Sequence, residues 1–337
     1  MQILNKSQEI IKHIVYRIHF FIFKKPPGEF TKRLLKNLFF ALFGVGGATL
    51  LTFGFNTLAI RYLGAEEYGK ISLIIGISNF LIILPLFGLN IASLRYLGAE
   101  RENKNKIIGT ALFSVIIFSL ILAPIYLLLG SRLQNWLKIS DFLYIFTVLY
   151  AFLLVFTQLF QSFFQGMEQF KKLSLLWISS AFIFVAIISY YLFWLKNFSF
   201  IGLFWSNAFR LIFFIAIAVI IIKPKLLKFN LHYAKKLVKF SSYTTLGGFI
   251  GFFSMASIDT IMINHYIDLS AVGLYGAYYA GFSILTGKIL NTFYEVFMPM
   301  ASRSGEIKTL FSQSIIFIKK AGIFIFVGNF LLMWLLF

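Results

Sequence analysis

Runs of eighteen or more mostly apolar residues recur along this chain of 337 residues, and they restrict its fold more than any other feature. Each run is long enough to cross the ~30 Å hydrocarbon core of a membrane as a helix. Charged residues are 13% of the sequence and the mean hydropathy is +0.85, too apolar for the surface of a soluble globule. We therefore predict an all-α, polytopic membrane protein with about nine transmembrane helices. The predicted spans are residues 38–60, 71–93, 107–129, 142–164, 173–195, 200–222, 243–265, 271–292 and 314–337.

The distribution of positive charge predicts the orientation of these spans. If residues 1–37 lie inside and the spans alternate, the tail and the inside connections carry 24 of the 31 Lys and Arg residues, and the outside connections carry 5. Lys and Arg collect on cytoplasmic loops, so we expect a cytoplasmic N-terminus in the plasma membrane. The net charge of +19 is then an orientation signal and gives no reason to expect a nucleic-acid partner.

The sequence shows no pattern for a metal centre or for a cleaved signal peptide. The chain has no cysteine, and its four histidines show no metal-ligand spacing, so we expect no metal centre. The N-terminal segment contains Arg17 and His19 among its apolar residues, and it lacks the small-residue cleavage site of a signal peptide.

The longest inside connection divides the predicted spans into two groups. We expect a basic tail with an amphipathic segment (1–37), a six-helix bundle (38–222), an amphipathic cytoplasmic linker (223–242) and a partial second bundle of three helices (243–337). The linker sequence KPKLLKFNLHYAKKLVKFSS has apolar residues at helical spacing with lysines between them, which suits a connector on an anionic membrane surface. Because the sequence stops directly after an apolar run, we expect that the second bundle is truncated.

The hexapeptide RYLGAE occurs twice, at residues 61–66 and 95–100, each time after an apolar run. Arg favours a helix C-terminus, Tyr favours the membrane interface, and Gly suits the left-handed position after a helix end. We therefore predict two helices that end alike, on opposite faces of the membrane; an ancestral repeat is the alternative. Glycines in FGVGGATLLTFGF and TTLGGFIGFF, which open the first and seventh spans, indicate two related bundles.

The turn after the first span has a more specific pattern. In LAIRYLGAEEYGKISLIIG, residues Arg61, Leu63, Gly64, Glu66, Tyr68 and Gly69 match the AR-x-LG-x-E-x-YG pattern of a known family. Further matches are the basic turn LRYLGAERENKNK, the segment IDTIMINHYIDLSAVGLYG with Asp259 and Tyr275, and Pro299. The chain thus resembles, over most of its length, the polysaccharide flippases of the multidrug/oligosaccharidyl-lipid/polysaccharide exporter superfamily.

The resemblance implies a transporter rather than an enzyme, with a MATE-like fold. Its expected cargo is an oligosaccharide linked to a polyprenyl (di)phosphate, and its expected partners are membrane lipids and proteins of polysaccharide assembly. Members of the family usually have a second complete six-helix bundle, which this sequence does not contain.

Polar residues at membrane depth are the candidate site, because they are costly in lipid unless they face a cavity or a partner. The candidate ligands of the phosphate and sugar groups are Arg61, Arg95, Arg210, Lys288, Gln158, Gln161 and Gln165. Asp259 is the candidate for an ion pair with one of these cations or for a coupling proton or sodium ion; no other cofactor is expected. Snorkelling, internal ion pairs and inter-helix hydrogen bonds are the structural alternatives for all of these residues.

Four functions remain open on the sequence. A flippase for lipid-linked oligosaccharide fits the excess of basic over acidic residues within the spans, because its cargo is anionic. A cation-coupled multidrug exporter of the same superfamily would favour acidic cavities. A lipid-dependent glycosyltransferase would need carboxylates in a large outside loop, and an inactive or partner-dependent remnant would explain missing spans.

Overall fold

The computed structural model describes residues 29–195, 199–225, 228–253 and 256–303, except the side chains of residues 30–31, 256, 282–290 and 303. The predicted tail up to residue 28 and the predicted span 314–337 lie outside this part of the chain. All of the described secondary structure is helical. The helices are α1 (Glu29–Leu81), α2 (Ile83–Leu86), α3 (Leu89–Ala99), α4 (Lys104–Leu128), α5 (Gly130–Leu137), α6 (Asp141–Gly166), α7 (Phe170–Ser189), α8 (Phe200–Ile222), α9 (Leu231–Phe252), α10 (Ala256–Tyr266) and α11 (Leu269–Arg303).

Helix α1 is a hairpin rather than one rod, because its backbone leaves the helical region at Gly64 (φ 77°, ψ 170°). The contacts of α11 establish the reversal. Gly281 faces Phe53 and Met300 faces Asn37, whereas Gly276 faces Ser72 and Pro299 faces Gly98. Helix α11 therefore runs antiparallel to the chain before Gly64 and parallel to the chain after it. Only glycine adopts this φ/ψ combination readily, which explains the residue at the turn.

The two copies of RYLGAE differ in structure. In the first copy Gly64 has a positive φ and turns the chain, as predicted. The same prediction is wrong for the second copy, where Gly98 is helical and buried and α3 ends at Ala99 with Glu100 as its C-cap. Gly98 is needed there for close packing, because an added Cβ would lie 2.6 Å from the carbonyl oxygen of Pro299.

The helix ends fall on two faces. The basic face contains residues 29–37, 99–106, 166–172, 222–225, 228–236 and 299–303, in which Lys and Arg outnumber Asp and Glu. On the opposite face, Lys138 and Asn264 connect α5 to α10 through the carbonyl groups of His265 and Leu137. The described helices coincide with the first eight predicted spans and pass alternately between these faces.

The composition of the helices agrees with a multi-pass membrane protein. Within the described residues, five stretches are long and apolar enough to span a membrane, or six if the bent pair Leu231–Phe252 and Ser257–Tyr266 counts as one span. One of the five, Lys32–Leu86, contains the hairpin at Gly64. The all-α membrane fold is thus confirmed, while the total of nine spans stays a prediction.

Helices α10 and α11 pack against α1, and α9 packs against α2, α3 and α4, along a surface that we call the seam, between helices α1–α8 and helices α9–α11. Glycines bring the two sides together, since an added Cβ at Gly69 would overlap the carbonyl oxygen of Leu269 and one at Gly273 would overlap that of Ala65. The predicted linker 223–242 has no helix end at its boundary, because α9 continues from Leu231 to Phe252 and buries Tyr233 and Leu237. The division into separate bundles stays a prediction.

Candidate functional site

Glu168 is the centre of a charged cluster on the basic face. Its side chain is 4% exposed and accepts contacts from Arg101 and from Arg33, the latter at 2.5 Å. The amide of Asn37 approaches the same carboxylate at 3.4 Å and the sulfur of Met300 at 3.7 Å. The cluster joins the start of α1, the turn after α3 and the turn after α6, and it reaches α11 through Asn37.

A second cluster lies where the seam meets the basic face. The Glu100 carboxylate accepts a hydrogen bond from the Tyr233 hydroxyl at 2.8 Å and forms an ion pair with Lys236. Burial alone would raise the pKa of Glu100, but the hydrogen bonds from Lys236 and Tyr233 and the positive charge of Lys236 outweigh it, so the pKa is lowered. An ionised carboxylate therefore holds the end of α3 to the start of α9.

Arg95 stands beside this cluster. Its guanidinium carbon lies 4.5 Å from the ring centroid of Phe240 on α9 and 5.7 Å from that of Tyr96. The side chain is exposed, and it makes no hydrogen bond to another residue of the described ranges. Stacking on an aromatic face leaves the edge N–H groups of a guanidinium available to an anion.

The predicted glutamine face of α6 meets Glu295 of α11 across the seam. The Gln165 amide donates to the Glu295 carboxylate at 2.7 Å, and the Gln161 amide approaches it at 3.4 Å. Gln158 is half-buried on the same helix. Two of the three glutamines thus make inter-helix hydrogen bonds, which is the structural alternative to sugar binding that the sequence left open.

Arg210 points into the protein between α6, α7 and α8. Its guanidinium lies 5.8 Å from the ring centroid of Phe184 and close enough to interact with the buried hydroxyl of Tyr150. Its Nε is buried and has no hydrogen-bond partner among the described residues. A cation in this setting attracts an anion strongly, because the surroundings are mostly aromatic and apolar.

The remaining candidates are dispersed. Arg61 is exposed one turn before Gly64, far along the chain from Arg95 and on the opposite face. Asp259 accepts a hydrogen bond from Tyr275 of α11 and is exposed. The side chain of Lys288 lies outside the described part of the chain. The structure therefore brings Arg95, Gln161 and Gln165 to the seam, places Arg210 within the first group of helices, and does not unite all of the predicted ligands in one site.

Comparison with known proteins places this arrangement in a family. Residues 34–304 match the family model described as polysaccharide biosynthesis protein. The chain belongs to this polysaccharide biosynthesis family. The predicted membership of the multidrug/oligosaccharidyl-lipid/polysaccharide exporter superfamily is thereby confirmed. No curated protein matches the sequence at a significant level.

Two solved structures are similar to this polysaccharide biosynthesis protein. One is a crystal structure of a MATE protein in complex with MaD3S, with a TM-score of 0.51 and 15% identity, covering 82% of this chain and 69% of the other. The second is a crystal structure of a MATE protein in complex with Br-NRF, with a TM-score of 0.46 and 14% identity, covering 81% and 73% of the two chains. The first likeness shows that the polysaccharide biosynthesis protein has the MATE fold.

Sequence reasoning missed the acidic residues that organise the basic face of this family member. Glu168 and Glu100 were not among the candidates, nor were their partners Arg33, Tyr233 and Lys236. A signal was present, since these two acids lie among many Lys and Arg residues, and isolated carboxylates in a basic region tend to be paired. Which cation pairs with which acid depends on contacts between residues up to 136 positions apart.

Proposed function

We propose that this protein moves an oligosaccharide linked to a polyprenyl (di)phosphate across the plasma membrane by alternating access, for surface polysaccharide or cell-envelope assembly. Its membership of the polysaccharide biosynthesis family and its MATE fold support transport rather than catalysis. In this proposal the basic face is cytoplasmic, as the distribution of Lys and Arg predicts.

The observation that carries the proposal is the placement of cations that an anionic headgroup can use. Arg95 is exposed at the seam and stacked on Phe240, and Lys236 is beside it, 4.9 Å from the ring centroid of Tyr96. Arg210 supplies a further guanidinium within the helices, with its Nε buried and unpaired in the described ranges. A (di)phosphate group suits such cations because guanidinium groups bind its oxygens with two parallel hydrogen bonds.

The proposal is tested in proteoliposomes that contain the purified full-length chain and a fluorescent polyprenyl-diphosphate oligosaccharide. We expect Arg95→Gln and Arg210→Gln each to lower the rate of translocation about tenfold, since a hydrogen bond to a charged group contributes about 1.5–3 kcal/mol. Arg132→Gln is the matched control, because Arg132 is exposed on the opposite face. Full activity in both test variants would remove these arginines from the transport path.

A cation-coupled multidrug exporter is the second candidate, and one observation favours it. Glu295 places a carboxylate within the seam, where Gln161 and Gln165 donate hydrogen bonds to it. A carboxylate between moving helices is suited to a cationic drug or to a coupling proton or sodium ion. Efflux of a fluorescent cationic dye that depends on Glu295, without translocation of the lipid-linked oligosaccharide, would select this function over the first.

A further inference from the structure

The Glu100 cluster is accessible as well as paired. The side chains of Glu100 and Lys236 are 29% and 35% exposed, so solute groups can reach both partners. Glu100 belongs to the end of α3 and Lys236 to the start of α9, so this ion pair crosses the seam at its basic end. Separation of α3 from α9 must break the ion pair and the hydrogen bond from Tyr233.

The donors around Glu100 are also suited to a phosphate group. An ionised carboxylate is only an acceptor, and the ammonium group of Lys236 and the hydroxyl of Tyr233 donate to its two oxygens. A phosphate oxygen offers the same acceptor chemistry with more negative charge. Arg95 adds a second cation on the same pair of helices, through its contact with Phe240.

We propose that Glu100 is an internal substitute for a phosphate or diphosphate headgroup, and that an anionic headgroup which binds Arg95 and Lys236 displaces Glu100 and opens the basic end of the seam. This inference rests on the proposed function. It adds a latch, by which we mean the ion pair between Glu100 and Lys236 that keeps the seam closed until an anionic ligand displaces Glu100. In the closed seam the internal carboxylate joins α3 to α9, and in the open seam the larger (di)phosphate group bridges Arg95 of α3 and Lys236 of α9 at a wider separation of the two helices.

The physical requirement for such a latch is a difference in affinity between two states. A ligand shifts a conformational equilibrium only if it binds one state more tightly than the other. In the closed seam Lys236 is already engaged by Glu100, whereas in the open seam it is available. The headgroup therefore gains a cation only when the seam opens.

Because the chain has no cysteine, spin labels attach only at two introduced cysteines, and the measured distance is the one between these two positions. We choose Asn105→Cys on α4 and Val238→Cys on α9, both exposed and on different sides of the seam. Asn105→Cys with Lys172→Cys is the control pair, since both positions are exposed and lie on the same side of the seam. The full-length chain is measured in phosphatidylcholine nanodiscs with farnesyl diphosphate, with farnesol as the uncharged probe, and in nanodiscs that also contain phosphatidylglycerol.

We expect farnesyl diphosphate, and not farnesol, to increase the Asn105–Val238 label distance and to leave the control distance unchanged. Arg95→Gln should raise the half-maximal concentration of farnesyl diphosphate about tenfold. Glu100→Gln should lengthen the distance without any ligand, whereas Glu102→Gln, an exposed acid two residues away, should behave like the parent. Opening by phosphatidylglycerol alone would support the displacement and assign the headgroup to the bulk lipid.

The inference is overturned if farnesyl diphosphate and phosphatidylglycerol leave the distance unchanged while Glu100→Gln stays closed. Tyr233→Phe and Lys236→Gln repeat the ligand-free test if Glu100→Gln does not fold. Translocation of the lipid-linked oligosaccharide without this distance response would exclude the latch and leave the proposed function standing. A distance response without translocation removes the proposed function and leaves the latch.

Discussion

At the scale of single residues, Glu168 combines an unfavourable backbone with favourable contacts. Its φ of 55° is left-handed, because α6 ends in a Schellman motif in which Gln169 N–H bonds the Phe164 carbonyl and Glu168 N–H bonds that of Gln165. Glycine is the usual residue at this position, and a side chain there costs about 1–2 kcal/mol. The pairs with Arg33 and Arg101 offset that cost.

We predict that Glu168→Gln lowers the stability of the protein by about 2 kcal/mol, because it leaves two arginines without their shared carboxylate. The cost is less than for a fully buried pair, since Arg33 and Arg101 are 41% and 39% exposed. Thermal unfolding in detergent measures the effect. Glu66→Gln, at an exposed acid in the hairpin turn, is the matched control and should change stability by no more than about 0.5 kcal/mol. Equal melting temperatures for the two variants would contradict the structural role of Glu168.

At the scale of helices, a proline explains a contact between two predicted spans. Pro85 has no N–H group and therefore cannot bond the carbonyl oxygen of Leu81 four residues earlier. The Tyr126 hydroxyl of α4 donates to this carbonyl at 2.8 Å, and the Tyr144 hydroxyl of α6 donates to the Tyr126 carbonyl at 2.6 Å. At the break between α1 and α2, the carbonyl group that lacks a backbone donor thus receives a hydrogen bond from a side chain of another helix. A buried backbone group in a membrane needs such a partner.

We predict that Tyr126→Phe destabilises the parent protein by about 1–2 kcal/mol, because the Leu81 carbonyl loses its donor. In a Pro85→Ala background the same substitution should cost much less, since the alanine N–H can bond that carbonyl. A double-mutant cycle of thermal stability gives the coupling directly. Equal costs in the two backgrounds would show that the Tyr126 hydroxyl does not substitute for the missing proline donor.

The seam depends on glycine at defined positions of the helices. We predict that Gly69→Ala and Gly273→Ala both lower stability, because the added Cβ overlaps backbone carbonyl oxygens that cannot rotate away. Gly46→Ala is the control, since its Cβ meets no atom within 4 Å. Alanine is favoured over glycine in a helix by about 1 kcal/mol, so the control should be neutral or stabilising. Melting temperatures of the three variants test the prediction, and a tolerated alanine at Gly69 would contradict the close packing of the seam.

At the scale of the whole molecule, the two ends of the seam differ in their charged contacts. Close glycine contacts occur at both ends, at Gly69 and Gly273 near the opposite face and at Gly98 near the basic face, and the basic end adds the ion pair between Glu100 and Lys236. Close packing does not depend on pH, whereas an ion pair with a carboxylate does. The acid sensitivity of the protein is therefore expected to arise at the basic end of the seam.

We predict that the contribution of Glu100 to stability disappears in acid. Its pKa in the folded protein is below the ordinary value of 4.5, so the ion pair stabilises the fold above about pH 4.5 and is lost as the pH falls through the folded value. The difference in melting temperature between the parent and Glu100→Gln should be largest near pH 7 and shrink below about pH 4.5. A difference that is constant from pH 7 to the acid range would exclude ionisation of Glu100 as its cause.

The sequence by itself determined the membrane fold class, the positions of the described spans and the family. Apolar length and charge asymmetry act locally along the chain, so a single pass over the sequence detects them. The turn at Gly64 was also predictable, because a left-handed position after an apolar helix favours glycine.

Only the tertiary structure decided the pairing of side chains. The same hexapeptide turns the chain at Gly64, whereas in the second copy Gly98 is still helical, one residue before α3 ends, and packs against Pro299 of a distant helix. The partners of Glu100, Glu168 and Glu295 come from segments far away in sequence. Local sequence patterns do not indicate which helices become neighbours. Helix formation is a property of local sequence, whereas the site depends on how helices pack, and packing is set by the shapes and charges of all of them together.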